Sequence, residues 1–313
     1  MRTLVTGASG FIGGHFCRLA VLTGMDCRAA IRRLGSGPDN METVVVPGAA
    51  MEHWGAALRG VDAVVHFAGL TGAGDSDMEA ELEAVNVTFP ARLARAAREA
   101  GAKRFVFLSS ARVHGETSLG PGCRESDPPA PVDPYAASKW RGERELAAVA
   151  AATGLELVVL RPPIVVGAGV KGNLLRMLRA LARGTPLPFA SIANIRSLLG
   201  VRNLCEAVRL TLAVPDAAGK TYLVADADEL STPTFCRLMA SALGRPARLY
   251  PVPPPLLRAG GRLLRRGREA RRLTGSFQIS ADRIRDELGW RPVIALEEEI
   301  ESMAAQFRRD TGR

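Results

Sequence analysis

Thr6-Gly7-Ala8-Ser9-Gly10-Phe11-Ile12-Gly13 follows a short apolar run, Thr3-Leu4-Val5, and leads into the segment 14–22. The run reads as a first β-strand and the segment after the glycines as a helix. A glycine-rich turn between strand and helix bares backbone N–H groups beside a helix N-terminus, where a pyrophosphate can sit. One glycine serves the tight turn, one the close approach of the phosphates, and one the packing of helix on sheet. Gly7, Gly10, Phe11, Ile12 and Gly13 are therefore candidate dinucleotide contacts, with Ala68 and Gly69 after a later strand run as further ones. A βα turn that merely happens to be rich in glycine is the plain alternative. The position of this stretch, at the head of an α/β pattern, argues for the dinucleotide.

That pattern continues through the first half. Strand-like runs at 2–5, 27–31, 43–46, 63–67, 104–108 and 156–160 alternate with helical stretches such as 78–100 and 134–152. Steady alternation predicts an α/β fold, a Rossmann-type doubly wound parallel sheet with right-handed crossovers and ligands at the carboxyl ends of its strands. After Arg161-Pro162-Pro163 the segments shorten and prolines multiply, up to Pro251-Val252-Pro253-Pro254-Pro255. Helices are expected at 171–183, 201–214, 232–243, 280–288 and 296–307, and a strand at 221–224. Residues 1–165 are expected to form the dinucleotide-binding domain, with a later return near 199–226. Residues 166–313 are expected to form a smaller mixed α/β substrate lobe packed over the nucleotide edge.

Composition narrows the classes. The chain has 313 residues, 47% hydrophobic and 23% charged, enough for a full core. No apolar run approaches the roughly 20 residues that span a bilayer, and the chain enters its first strand at once, so neither a leader nor a membrane partner is expected. Cys17, Cys27, Cys123, Cys205 and Cys236 are scattered without metal-ligand spacing, which suits reduced thiols and a cytoplasmic setting. The four histidines are equally dispersed, and no metal site is expected. The net charge of +9 is concentrated in arginines between 258 and 272, while aromatic residues make up only 5%. Without interleaved aromatics a nucleic-acid surface is not expected. An anionic small substrate accounts for part of the charge, and solvated surface for Arg258, Arg262, Arg265 and Arg266.

Tyr135-Ala136-Ala137-Ser138-Lys139 opens a predicted helix after Pro134. Residues four apart share a helical face. A phenol near pKa 10 is a poor proton-transfer group at neutral pH, and a nearby ammonium favours the phenolate. The pair therefore suits an enzyme that moves a proton to or from an alcohol oxygen, although a Tyr packed on a surface Lys has the same spacing. Upstream, Phe105-Val106-Phe107-Leu108 ends a strand at Ser109-Ser110, at the edge where a site belongs. Either serine could bond the same substrate oxygen, or the two could simply cap the next turn.

Taken together, residues 6–13, Asn86, Ser109-Ser110-Ala111, Tyr135-x-x-x-Lys139 and Arg161-Pro162 resemble the extended short-chain dehydrogenase/reductase superfamily over nearly the whole chain. Within it the likeness is to the nucleotide-sugar epimerase/reductase group. The resemblance implies that Ser110 orients a substrate carbonyl, that Tyr135 transfers the proton, and that Lys139 holds the nicotinamide ribose and tunes Tyr135. Ser110 is chosen over Ser109 because it precedes Val113-His114-Gly115 by three residues, as the group's hydroxyl does. The likeness further implies that Asn173, Arg196 and Arg272 meet the diphosphate of a UDP-sugar, with Arg112 as another substrate contact. Arginine suits this task because its planar fork meets phosphate oxygens two at a time. His114, where relatives carry Tyr or Asn, is expected to wall the pocket.

Departures from the pattern sharpen the expectation. An acid at the end of the second strand would accept from the adenosine ribose of NAD; here Arg32 and Arg33 stand there, which favours NADP(H) and leaves NAD(H) open. The segment Pro47-Gly48-Ala49-Ala50 lacks the Asp that commonly meets adenine. Ala111 and Arg112 replace the Asp-Glu pair of the dehydratases, so dehydration is disfavoured. An NADPH-dependent 4-keto-sugar reductase is favoured on Arg32 and Arg33, with an NAD-dependent UDP-hexose 4-epimerase as the alternative. A non-catalytic dinucleotide sensor is less favoured, because Tyr135 and Lys139 are both present. The resemblance also implies a homodimer through the helices at 79–100 and 136–152, which are rich enough in alanine to pack closely.

Overall fold

The computed structural model describes residues 1–46, 48, 53–71, 77–118 and 122–312. Pro47, Ala49 and Ala50 of the expected adenine segment lie outside the described residues. In chain order the first half comprises β1 (Thr3–Thr6), α1 (Phe11–Leu22), β2 (Cys27–Ile31), β3 (Glu42–Val45), α2 (Gly55–Leu58) and β4 (Ala63–His66). It continues with α3 (Asp77–Glu83), a π-helical turn (Ala84–Thr88), α4 (Phe89–Glu99), β5 (Arg104–Leu108), a 3₁₀ turn (Ala111–His114), α5 (Pro134–Thr153) and β6 (Glu156–Arg161). The second half brings β7 (Ile164–Val166), α6 (Gly172–Ala182), β8 (Arg196–Gly200), α7 (Val201–Ala213), β9 (Thr221–Leu223) and β10 (Glu229–Leu230). Five helices follow: α8 (Thr232–Ala242), α9 (Pro254–Leu263), α10 (Gly267–Thr274), α11 (Asp282–Leu288) and α12 (Leu296–Thr311).

Seven strands form one parallel sheet in the order β3-β2-β1-β4-β5-β6-β9. Strands β1, β2 and β4 are buried along their whole length, as expected of a sheet covered on both faces. One face is closed by α1, α7 and α11 around Phe16, Leu204, Tyr222 and Trp290. The other is closed by α2, α4 and α5 around Trp54, Leu93, Phe105 and Leu146. Strand β1 pairs with β2 on one side and β4 on the other. The winding reverses there, and the carboxyl ends of β1 and β4 open the crevice in which such sheets bind ligands. A second, three-stranded sheet, β10-β8-β7, is packed by α6, α8 and α12 around Leu178, Phe235, Met239 and Met303.

The expected helix over 78–100 is interrupted at the π-turn, and the cause is in the sequence. Pro90 has no N–H to give the carbonyl four residues back, which belongs to Asn86. That carbonyl is left facing α5, and Gly142 lies against it: a Cβ at Gly142 would stand 2.3 Å from the Asn86 oxygen. Gly142→Ala should therefore push α5 off the π-turn at a cost of about 1–3 kcal/mol. A thermal melt checks this: a clear fall in Tm is expected, and an unchanged Tm would show that the two elements do not meet so closely.

Candidate active site

The glycine turn makes a cradle that no side chain fills. Gly7 has φ +70°, and a Cβ there would lie 2.6 Å from the Ala68 nitrogen. A Cβ on Gly13 would come within 2.2 Å of the Gly7 oxygen. Gly10 is the N-cap of α1 and offers no side chain to its first N–H groups. Phe11 and Ile12 open the helix, partly buried. Donors at a helix N-terminus, with backbone in place of side chains around them, fit the pyrophosphate of a dinucleotide. Across the crevice a Cβ on Gly69 would sit 3.1 Å from Lys139 Nζ and 3.3 Å from Asn86 Oδ1, so the strand-end glycine borders α5 and the π-turn. Arg32 and Arg33 follow β2 and are exposed.

Helix α5 starts where it does because Asp133 caps it. Asp133 Oδ1 accepts from the Ala136 N–H at 3.0 Å, and Pro134 occupies the first turn. Tyr135 is thus set in the first turn and Lys139 one turn on. Lys139 Nζ donates to the Leu108 carbonyl at 3.0 Å, at the very end of β5. The next residues of that strand end are Ser109 and Ser110. Ser110 begins the 3₁₀ turn, accepting from the Arg112 N–H at 3.3 Å, and lies within side-chain hydrogen-bonding reach of the Tyr135 phenol. The structure therefore brings Ser110, Tyr135 and Lys139 together. Asn86 steadies the opposite wall: its amide bonds both backbone groups of Leu70 at 2.9 and 3.0 Å and donates to Ser138 Oγ at 3.0 Å.

The electrostatics differ from the expectation in one respect. Burial pushes the Tyr135 phenol above its ordinary value, and the cation that opposes this most is Arg112, ahead of the Ser110 hydrogen bond. The Arg112 guanidinium lies over the Tyr135 ring, 5.1 Å from its centre, while the Lys139 ammonium is engaged with the β5 carbonyl. Lys139 itself is 4% exposed, and burial brings it down from 10.5 to about 8, with the Glu143 carboxylate pulling it back up.

Behind these groups lies a buried ion pair. Arg161, at the end of β6, donates from Nη2 to Glu143 Oε2 at 2.5 Å and from Nε to both Glu143 oxygens at 3.1 and 3.2 Å. Ser109 also donates to Glu143. The remaining Arg161 Nη1 donates to His114 Nε2 at 2.9 Å, which fixes that imidazole as neutral with its proton on Nδ1. His114, expected as a pocket wall, is instead committed to this buried frame, and burial followed by Arg161 pushes it down to about 4.

Three of the four expected substrate contacts also converge. Arg272 Nε meets Glu116 at 2.6 Å and its Nη2 meets Asp133 at 3.2 Å. Arg112 pairs with Asp133 and lies 4.0 Å from Glu116. Arg196 Nη1 donates to the carbonyls of Arg272 and Gly275 at 2.6 and 3.1 Å, and burial, then Arg272, brings its guanidinium down to about 10. Asn173 is not part of this cluster. It is exposed in the first turn of α6 and accepts from Arg176, whose guanidinium reaches Glu269 of α10 at 3.5 Å. Asp133 and Glu116 escaped the sequence reading. An Asp-Pro pair ahead of a helix is a capping signal that marks Asp133; nothing local marks Glu116.

Known proteins resemble this chain along its length. The family model described as "NAD dependent epimerase/dehydratase family" matches residues 3–225. The UDP-glucose 4-epimerase of Vibrio cholerae is 34% identical over 318 residues, covering 99% of this chain and 96% of that protein. The UDP-glucose 4-epimerase of Azospirillum brasilense is 30% identical over 312 residues, covering 93% and 87%. Among solved structures, MoeE5 in complex with UDP-glucose and NAD aligns with a TM-score of 0.80 at 25% identity, covering 99% of this chain and 100% of that chain.

The buried lysine gives a signed prediction. Below pH 8 folded and unfolded chains both hold its proton, and the fold bears the cost of a buried ammonium. Between pH 8 and 10.5 the folded chain has released the proton and the unfolded chain has not, so this group makes stability rise with pH across that window. Lys139→Met should therefore gain stability over the parent at pH 7, by up to about 3 kcal/mol, and lose that advantage by pH 10.5. Denaturant melts of both proteins across the range check it; a pH-independent difference would contradict it.

Proposed function

This chain belongs to the NAD dependent epimerase/dehydratase family, and on that premise we propose that it is a UDP-sugar 4-epimerase that keeps NAD bound through its cycle. The observation that carries this reading is the whole-length likeness to a UDP-glucose 4-epimerase, joined to a site where Ser110, Tyr135 and Lys139 meet beside three arginines. When bound, the cofactor supplies a hydride acceptor and donor at its nicotinamide carbon. Gly7, Gly10 and Gly13 admit its pyrophosphate, with Phe11, Ile12, Ala68 and Gly69 along the same crevice. Tyr135 takes the proton of the sugar hydroxyl as the carbonyl forms and gives it back on the return. Ser110 donates to the same oxygen and holds it against the phenol. Lys139, fixed on the Leu108 carbonyl, stands ready for the cofactor ribose. Arg196 and Arg272 hold the diphosphate while the sugar turns its other face, with Arg112 over the tyrosine.

Arg32 and Arg33 favour a second reading, the NADPH-dependent 4-keto-sugar reductase to which the sequence alone inclined. Two exposed arginines after a strand end are weaker support than a likeness that spans the chain, so the epimerase reading takes first place. One assay separates the two. Purified protein without added cofactor should interconvert UDP-glucose and UDP-galactose and release NAD when denatured, with turnover reduced about 10²–10⁴-fold in Tyr135→Phe. Absence of bound NAD, together with NADPH consumption on a 4-keto-6-deoxy UDP-sugar, would replace the first reading with the second.

A further inference from the structure

Helices α9 and α10 form a hairpin that turns at Leu264-Arg265-Arg266, with Arg265 in the left-handed region at φ 56°. No residue of α9 is buried. The stretch 258–272 holds seven arginines against one glutamate and no aromatic residue. Three large apolar side chains of the hairpin are left in water: Leu256, in the first turn of α9, is 63% exposed, and Leu263 and Leu264, at the tip, 86% and 72%. Leu256 and Leu263 are seven residues apart, so they share one face of α9, and Leu264 extends it around the turn. Arg262, Arg265 and Arg266 flank these leucines. Arg262 and Arg265 have no ion-pair partner among the described residues, and Arg266 has only a contact at 4.0 Å with Glu269.

Single exposed leucines are ordinary on a protein surface. Three on one hairpin, two of them among arginines at its tip, on a helix that buries nothing, contribute no packing to the fold. Such a helix fits a surface that is apolar at one depth and anionic at another. Leucines enter the boundary of the acyl chains while guanidinium groups meet headgroup phosphates. A nucleic acid would use the charge but not the leucines, and the stretch offers no ring on which a base could stack. We propose that the α9–α10 hairpin docks this protein on an anionic membrane surface.

The placement gives docking a consequence for the site. Helix α10 also carries Arg272, whose guanidinium lies on Glu116 and Asp133 at the cleft. Eight helical residues span about 12 Å, so the hairpin tip is one short helix away from the candidate diphosphate end. That no described helix is long and apolar enough to cross a membrane does not bear on surface docking. By sequence, Arg262, Arg265 and Arg266 read as solvated surface and no membrane partner is expected; the exposed leucines beside them are what the structure adds.

Vesicle flotation of the full chain tests the proposal. Vesicles of equal parts phosphatidylglycerol and phosphatidylcholine should carry the protein at low salt, and phosphatidylcholine vesicles should not. Charge reversal of Arg262, Arg265 and Arg266 to Glu should weaken flotation by roughly a hundredfold or more, the loss expected for three basic residues at an anionic surface. Changing Leu256, Leu263 and Leu264 to Ser should weaken it at least tenfold. Both variants should keep the parent's Tm and its affinity for UDP, which separates a failure of docking from a failure of the proposed reaction. Equal binding to both vesicles, or to neither, overturns the proposal. So does preferential capture of nucleic acid that the arginine variant loses, or a lipid-free dimer that the leucine variant dissolves.

Discussion

Glu143 and Arg161 are each about 5% exposed or less, and a charge so deeply buried is tolerated only when its partners are complete. They are complete on the carboxylate side. Glu143 accepts from two guanidinium nitrogens and from Ser109, and the arginine's third nitrogen is taken up by His114. This one pair joins the ends of β5 and β6, the 3₁₀ turn and the middle of α5. Every group assigned to proton transfer hangs from those elements: Ser110 follows Ser109, and Tyr135 and Lys139 lie two turns and one turn before Glu143 on α5. Removing either partner would leave an uncompensated buried charge, at about 3–5 kcal/mol, and would loosen the geometry at the same time. The carboxylate also acts on Lys139, pulling its proton affinity back up against burial.

The arginine cluster obeys a different balance. Arg112, Arg196 and Arg272 bring three positive charges against the carboxylates of Glu116 and Asp133. Asp133 also caps α5, so the same residue that starts the helix of Tyr135 and Lys139 holds two of the guanidinium groups. On the reading proposed above, a diphosphate entering the cleft competes with Glu116 and Asp133 for Arg272. Substrate binding is then linked to the first turn of α5, where Tyr135 sits.

Much of this was legible beforehand because it rests on local rules. The glycine turn and the alternation of apolar runs and helical stretches led to the parallel sheet, and the four-residue spacing put Tyr135 and Lys139 on one helical face; the grouping of those two with Ser110 came from the family resemblance. The aromatic and β-branched run Phe105-Val106-Phe107 marked β5. The rest depends on contacts between distant segments. Strands β7 and β10 are three and two residues long, too short to show a period, and Arg196, at the head of β8, was read as a phosphate ligand without its strand being seen. The π-turn was written in Asn86 and Pro90, four residues apart, but only its packing on Gly142 makes it matter. Glu116 and Glu143 acquire meaning from arginines far along the chain, and no local pattern marks them. The Tyr135 phenol was expected to respond to Lys139; the fold sets Arg112 over its ring and turns the lysine to a carbonyl.

The central claim is that one held site takes a hydride from the sugar and returns it to the opposite face of the same carbon. The measurement that meets this most directly is isotopic: UDP-glucose carrying deuterium at C4, incubated with the purified protein and no added cofactor, with product deuterium read by mass spectrometry. The account predicts UDP-galactose that retains its deuterium at C4. Product that has lost the label to solvent or to added dinucleotide, or no product at all, would contradict it.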